Sequence, residues 1–565
     1  MARRNNVTTA QPVRMNTAAT NHIGSSLIPL VCTKDISFNG GELVPVHSFP
    51  VVPGDVVNLK MEEVMRQISA NLNPVFDDLH VDIRCFYVPD RLVFPRISEM
   101  FGENKTGVFD VTSSLKPITP RHAISGGNTI TDTRRLGHYY YGVAHPTATL
   151  PLLSSKKTRG YCLIWNEWYR DQNTQPPLLL TFDDANDTND SRAYALNAPL
   201  LSVNRPHDYF TSLLPKPQKG EASLANLSGM APVITGAVHT PFATGNISDS
   251  LQWANESGIP SSSFPQTIGV VNFPGANPSN QFITNTYPSP QPSGFGGRVV
   301  PSNLWANMEN IGSITVNDMR LQFAHQRILE KNARFGTRWR EYLMAHHGVF
   351  FDEYLVQIPK YLGGDHYLLN QYQVPNTSDE LGELASYTYK SCSKRRICNY
   401  SIIEFGRIHV LMCVRKRTTY QQALDRDDFE TDESTYYNPE YAHVGEQAVL
   451  APELFGYTSF RDRIIGYGEP WLHLRQWHNR AVGDFNTAST RSLDTRHYGD
   501  FFTLTPTLNG LVVDNTREMV DRTLKHSSAV SDQFGFNFRF TGTIQRNMPL
   551  YSIPGNLDHG YTGRF

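Results

Sequence analysis

Near the C-terminus, Phe534, Phe536, Phe538 and Phe540 occupy every second position, with Gly535, Asn537 and Arg539 between them. Side chains of a strand point alternately to opposite faces, so this spacing predicts a strand with one face in an apolar core and the other in water. Two further segments carry strand patterns. VDIRCFYV at 81–88 sets Val81, Ile83, Cys85 and Tyr87 on one face, and Pro89 ends it because proline cannot donate to a ladder. IHVLMCV at 408–414 is apolar on both faces, as a central strand covered twice would be. Composition agrees. Hydrophobic residues are 39% and charged residues 18%, both below ordinary globular usage, while 36 Pro, 40 Gly, 26 Tyr and 30 Phe favour short strands and long loops over helix bundles. At 565 residues the chain can bury a large core. Length alone suggests several domains, although all-β sandwiches often run long as single units.

One stretch is helical instead. Asn317 can cap it, Asp318 adds an acid to the first turn, and Met319, Phe323 and Ala324 then share a face. The pattern runs to about Phe335 and breaks at Gly336, and a second piece at 337–347 ends at Gly348. Its aromatic stripe is expected to be core. Residues 218–300 differ again, being rich in Gly, Ser, Asn, Pro and Thr with few charges, yet they keep Trp253, Phe264, Phe273 and Phe282. A loop of that length is functional or disordered. The expectation is an ordered insertion that needs neighbouring chains to bury those aromatics; a flexible, cleavable linker is the other reading.

Charge limits what the surface can bind. With 51 Lys and Arg against 53 Asp and Glu, net charge is −2 and the pI is near 6.8. A protein that grips nucleic acid over its whole surface is strongly basic. Any DNA handled by this one would need most of its phosphates neutralised elsewhere, by metal ions, polyamines or a small basic protein. The local exceptions are an N-terminal arm, residues 1–30, with Arg3, Arg4 and Arg14 and no acid before Asp35, and two clusters, Lys394, Arg395, Arg396 and Arg415, Lys416, Arg417. With Tyr400 and Tyr420 nearby, the clusters can contact phosphates and stack unpaired bases, or form a charged face that pairs with the acidic run at 425–433.

Chemical motifs are missing. There is no phosphate-binding G-x-x-x-x-G-K-[ST], no G-x-S-x-G and no H-E-x-x-H. The tightest histidine groupings, His346–His347 and His473 with His478, lack the spacing that would set two imidazoles on one helix face. Asp183, Asp184, Asp187 and Asp190 form an acidic loop, but Thr188 and Tyr194 stand where an EF-hand needs Gly and Glu, so Ca²⁺ is unsupported by a motif and no cofactor is expected. Cys32, Cys85, Cys162, Cys392, Cys398 and Cys413 show no C-x-x-C pair and are expected to be reduced and mostly buried. The N-terminus has no apolar h-region, and no run of 18 apolar residues exists, so neither a signal peptide nor a membrane span is expected.

Eight segments together resemble one family. They are FYVPDRLVF at 86–94, IWNEWYRDQNTQ at 164–175, HDYFTSLLPKPQKG at 207–220, RFGTRWREYL at 334–343, PKYLGG at 359–364, TYQQAL at 419–424, NPEYAHVGEQ at 438–447 and RNMPLYSIPGNLDH at 546–559. In this order they are similar to the major capsid proteins of the Microviridae, the small single-stranded DNA bacteriophages, and of their gokushovirus branch in particular. Lys216 stands where these proteins often carry tryptophan, residues 333–336 replace a glycine pair, and Phe405 sits at a usual histidine, so the chain reads as a divergent member.

The resemblance implies a mainly β fold, an eight-stranded viral jelly roll whose long inter-strand insertions contain some helices. The jelly roll would comprise 31–217 and 301–565, with 218–300 as a protrusion at the three-fold axes where Trp253, Phe264, Phe273 and Phe282 meet their copies. It implies self-assembly of about sixty copies into a T=1 icosahedral shell around circular single-stranded DNA. Implied partners are an internal scaffolding protein, a minor pilot protein, a small basic DNA-binding protein and, through the protrusion, the host cell surface. The location would be the virion, assembled in the host bacterial cytoplasm. The contrasting class is a carbohydrate-active β-sandwich enzyme or lectin, which would need two convergent carboxylates in a cleft.

Overall fold

The structure is a computed structural model. It describes residues 24–103, 119–122, 133–142, 151–180, 182, 194–221, 233–235, 253–255, 299–301, 304–306, 316–336, 338–350, 352, 357–369, 371–375, 384–389, 395–443, 445–456, 463–503 and 506–550.

Eight strands carry the fold: β1 (Ser25–Phe38), β2 (Val44–Val51), β3 (Val56–Gln67), β4 (Leu79–Pro89), β5 (Lys360–Leu369), β6 (Arg395–Ser401), β7 (Gly406–Lys416) and β8 (Phe534–Asn547). They form two antiparallel sheets. In the first, β1, β8 and β3 lie side by side, and β6 pairs with the free side of β3. A hairpin, Gln371–Pro375 with Leu384–Tyr389, joins the same side of β3 through Thr388 and Arg66. The second sheet has the order β5-β4-β7-β2. The first long strand therefore pairs with the last, from Ser25 opposite Asn547 to Phe38 opposite Phe534, and the result is the jelly-roll β-sandwich that the resemblance implied.

The alternation in β8 does what its spacing predicts. Phe534, Phe536, Phe538 and Phe540 are buried between the sheets, while Asn537 and Arg539 are exposed. Phe538 stacks on both flanking rings, with centroids 5.3 Å and 6.0 Å away. They pack with Met61, Val81, Ile83, Val410 and Met412 in one core. The β5-β4-β7-β2 sheet is covered on its other face too. Phe86, Val88, Leu411 and Cys413 pack there against Tyr161, Cys162 and Ile164 of helix α1 (Lys156–Ile164). β7 is thus the doubly covered strand its sequence predicts, and β4 is buried well beyond its alternating face, Asp82 included. A third core holds Tyr209, Phe210 and Leu213 against Tyr420, Val449, Leu454 and Leu511. Of the six cysteines, Cys85, Cys162, Cys398 and Cys413 are buried free thiols and Cys32 is half-buried; Cys392 lies outside the described residues. No helix among the described residues is long and apolar enough to cross a membrane.

Gly363 and Gly364 show why β5 carries a glycine pair. Gly363 sits at a register shift with φ +143°, and a Cβ on Gly364 would lie 2.1 Å from the carbonyl oxygen of Ile83.

The chain divides into two compact units, 1–220 with 329–565, and 221–328. The first contains both sheets and all three cores named above. In the second, Val233–Thr235 pairs with Leu304–Ala306, and Trp253–Asn255 with Val299–Pro301. Phe264, Phe273 and Phe282 lie outside the described residues. The helices fall where the sequence predicts, α2 at Val316–Phe335 and α3 at Trp339–His347, with Gly348 left-handed at φ 65°. Their burial does not. Met319, Phe323 and Ala324 are exposed, and α2 has no buried residue. The 3.6-residue period marks a face as apolar without saying what covers it.

One buried histidine, His409, and one half-buried, His47, make stability depend on pH. Burial, with Arg407 and Lys157 adding to it, pushes His409 down to about 3. Burial with Lys34 and Lys157 pushes His47 down to about 4. Both values lie below the ordinary 6.5, so between the two the unfolded chain holds more protons. Their contribution is therefore complete above pH 6.5 and is lost as pH falls towards 3–4, at up to about 1.4 kcal/mol per pH unit for each histidine. Urea melts of dissociated subunits at pH 7.0, 5.5 and 4.5 should fall steadily, and His409→Gln should flatten that decline. An unchanged slope in the variant would refute the assignment.

Candidate functional site

The two basic clusters do not form one surface. Arg395 is exposed, bonds to Asp365 at 2.5 Å and lies over the Tyr367 ring at 5.8 Å. Arg396 and Arg417 are also exposed. Arg415 is half-buried, with its guanidinium on Asp82 and a donated bond to the Asn204 carbonyl at 3.1 Å. Lys394, Arg3, Arg4 and Arg14 lie outside the described residues. Among the described residues the clusters do not pair with the acidic run: Asp425 meets Arg480, and Asp427 faces His473 at 3.5 Å.

Lys416 is interior. It has no exposed surface, and its ammonium meets Asp500 at 2.5 Å and the Tyr498 carbonyl at 3.1 Å. Alternation along β7 turns it away from Arg415 and Arg417, so a run of three bases splits between core and surface. Arg205 reaches the same carboxylate at 3.0 Å, and Asn515 donates to it at 2.8 Å. Burial alone raises the Asp500 carboxyl, but Lys416 and Arg205 outweigh it and hold the group below the ordinary aspartate value. A lysine enclosed in this way has no face to offer a phosphate.

The sequence pattern did not single out the basic site that the fold assembles. After α1 the chain takes a π turn, Trp165–Tyr169, closed by the Arg170 amide bonding to the Trp165 carbonyl at 2.9 Å. That turn sets Trp168 and Arg170 beside the outer face of β4. Arg84 comes from β4, Arg415 from β7, Tyr361 from β5, and Arg338 from the residue before α3. They line one half-open cavity of about 410 Å³. Its aromatic wall is Phe86, Trp168 and Tyr361, with ring centroids 5.6–5.9 Å apart. The cavity draws on five of the eight family-like segments, through Phe86, Trp168, His207, Arg338 and Tyr361. The one usable signal was WYRD, aromatic and basic residues in adjacent positions.

The remaining surface is rich in unburied aromatics. Trp477 is 91% exposed and Phe350 83%, and Tyr436 and Tyr437 are exposed as well. Among the described residues no three His, Cys, Asp or Glu side chains converge as metal ligands. The acidic loop of Asp183, Asp184, Asp187 and Asp190 lies outside them.

Comparison with known proteins fits this shape. Residues 17–556 match the family described as capsid protein (F protein). The chain belongs to that capsid family. It is 32% identical over 552 residues to capsid protein VP1 of Spiroplasma virus 4, an alignment covering 95% of this chain and 96% of the relative. It is 28% identical over 541 residues to capsid protein VP1 of Bdellovibrio phage phiMH2K, covering 94% of each. With capsid protein VP1 of Chlamydia phage 1 it shares 28% over 585 residues, 92% of this chain and 93% of the relative. It is therefore a major capsid protein of the Microviridae type and not an enzyme. The Tyr209, Phe210 and Leu213 of its NRPHDYFTSLL segment belong to the subunit's own core.

Proposed function

We propose that this capsid protein builds a T=1 icosahedral shell of about sixty copies and encloses a circular single-stranded DNA genome. The observation that carries this reading is the jelly roll together with the large apolar and aromatic surface its insertions leave uncovered, Trp477 and Phe350 foremost. Monomeric proteins seldom leave such groups in water, and interfaces concentrate their energy in buried aromatic residues. The near-neutral charge means that the chain itself neutralises only part of the phosphate, which leaves a role for a small basic DNA-binding protein. An internal scaffolding protein and a minor pilot protein complete the partner set, assembly occurs in the host cytoplasm, and the 218–300 insertion contacts the host surface. No resident metal is proposed.

The test is the mass of the native particle by light scattering, with absorbance at 260 nm. About sixty copies of the 63.7 kDa chain come to roughly 3.8 MDa. A nucleic-acid-bearing species of that protein mass plus the mass of its DNA is expected; a stable monomer under every salt and Ca²⁺ condition, with the scaffolding partner present, would sink the reading. Trp477→Ala should slow or abolish particle formation, since truncating an interface hot spot costs about 2 kcal/mol or more per contact. Subunit stability should stay within about 0.5 kcal/mol, because the side chain touches little of its own chain. Urea melts of the subunit and sedimentation of the assembly separate the two effects.

A further inference from the structure

We propose that the cavity beside β4 receives one unpaired nucleotide of single-stranded DNA, its phosphate on Arg84, Arg170, Arg338 and Arg415 and its base against Trp168 and Tyr361. The proposal rests on the reading that the shell encloses DNA, and it names where that DNA is held.

The charges facing the cavity favour an anion. Its two lining carboxylates are already engaged, and of the four arginines Arg338 also faces Glu167 at 3.5 Å and Glu341 at 3.6 Å. Asp82 is buried and shared among Arg84 at 3.4 Å, the Arg415 guanidinium and His366 at 2.7 Å. Asp171 folds its Oδ1 back to accept from the amides of Asn173 and Thr174 at 2.9 Å and 2.7 Å. Arg170 donates instead to the carbonyls of Asp171 and Gln175, at 3.4 Å and 2.7 Å. Burial lowers its pKa, and the neighbouring Arg338 lowers it further. Guanidiniums gathered in this way are stabilised by a phosphate, whose oxygens match their planar fork of donors.

Hydrogen-bonding capacity is also left open. The Nε of Arg170, the Nε of Arg415, the Oη of Tyr169 and the Oδ1 of Asn204 are buried and make no hydrogen bond among the described residues. Of the 22 such atoms among the described residues, four belong to residues lining this one cavity. Three are donors suited to phosphate oxygens, and the fourth is an acceptor suited to a base N–H.

The aromatic wall distinguishes a nucleotide from a bare anion. Trp168 is pinned by its Nε1 donating to the Pro359 carbonyl at 3.0 Å, with the Arg340 guanidinium 5.2 Å from its ring. Both Trp168 and Tyr361 keep part of their surface open. Stacking on such rings accepts any base, which suits a genome threaded past many identical subunits. A cavity of about 410 Å³ takes one base and its phosphate, and an unpaired base enters it without the few kcal/mol that unpairing and unstacking a duplex base costs.

Two experiments test this. In the first, full-length dissociated subunits bind fluorescein-labelled (dT)8, read by anisotropy. Arg170→Gln and Trp168→Ala should each weaken binding about tenfold or more, and Trp168→Phe, which keeps a ring, should recover most of the loss. Far-UV circular dichroism melts check that each variant is folded. Displacement by millimolar inorganic phosphate with no effect of Trp168→Ala would mean an anion site alone and would overturn the proposal. Equal competition by poly-glutamate would overturn it too. In the second, particles grown with 4-thiothymidine are irradiated and the cross-linked peptides mapped. Cross-links at Trp168 or Tyr361 are expected. Cross-links confined to other peptides would refute this site while leaving DNA enclosure intact, and particles devoid of DNA would remove both.

Discussion

Asp500→Ala should leave a subunit that does not fold stably, with a loss of about 3–5 kcal/mol in urea unfolding. The carboxylate is 1% exposed and answers two cations, Lys416 with no exposed surface and Arg205 at 3%. Removing it strands both in a low-dielectric interior, where each desolvated charge costs several kcal/mol. Lys416→Met should be milder, because Arg205 and Asp500 remain paired and a methionine fills much the same space. The same network sets an acid limit. The Asp500 carboxyl in the folded chain titrates below its ordinary value, so its contribution is present above pH 3.9 and is lost as pH falls through that lower folded value. Chemical denaturation followed by circular dichroism measures all of this. A loss below about 1 kcal/mol for Asp500→Ala would mean that the two cations find water or other partners, and that the network holds nothing together.

Phe538→Ala should cost about 3–5 kcal/mol, through lost burial and the cavity left behind. Phe538 is fully enclosed between the sheets and stacks on Phe536 and Phe540. Arg539→Ala, one residue further on, should cost less than about 1 kcal/mol, since Arg539 is exposed and only 3.8 Å from Glu62 in a solvent-screened pair. The contrast between neighbours tests the register of β8 directly. A one-residue slip would exchange the two results. Equal losses at both positions would refute the alternation as the organising feature of this strand.

Legibility from sequence was uneven for physical reasons. β8 and β7 were legible because burial on one face or on two leaves a short-period pattern in adjacent residues. Helices α2 and α3 were legible in extent because Asp318, Gly336 and Gly348 act on the backbone within a turn of themselves. Their burial was not legible, because the period of an apolar stripe is the same whether its own chain or another covers it. The split of the run Arg415, Lys416, Arg417 was not legible for a related reason. Adjacent bases on a strand face opposite ways, and Lys416 was interior while Arg417 was exposed. Beyond WYRD and Arg415 the cavity was not legible, because the four arginines proposed to hold the phosphate come from β4, the end of the π turn, the start of α3 and β7, and no pattern within any one of these segments announces the others.

By itself the sequence determined that the chain is built of strands, which faces of β7 and β8 are apolar, where the long helices start and stop, and which family it resembles. Each of these depends on interactions within a few residues or on the order of segments along the chain. Only the tertiary structure decided that β1 closes on β8, that Lys416 is enclosed with Asp500 and Arg205, and that Arg84, Arg170, Arg338 and Arg415 share one cavity with the rings of Phe86, Trp168 and Tyr361. Those depend on chain reversals that bring together residues hundreds of positions apart. Burial and charge pairing are properties of neighbours in space, and sheet pairing alone chooses those neighbours.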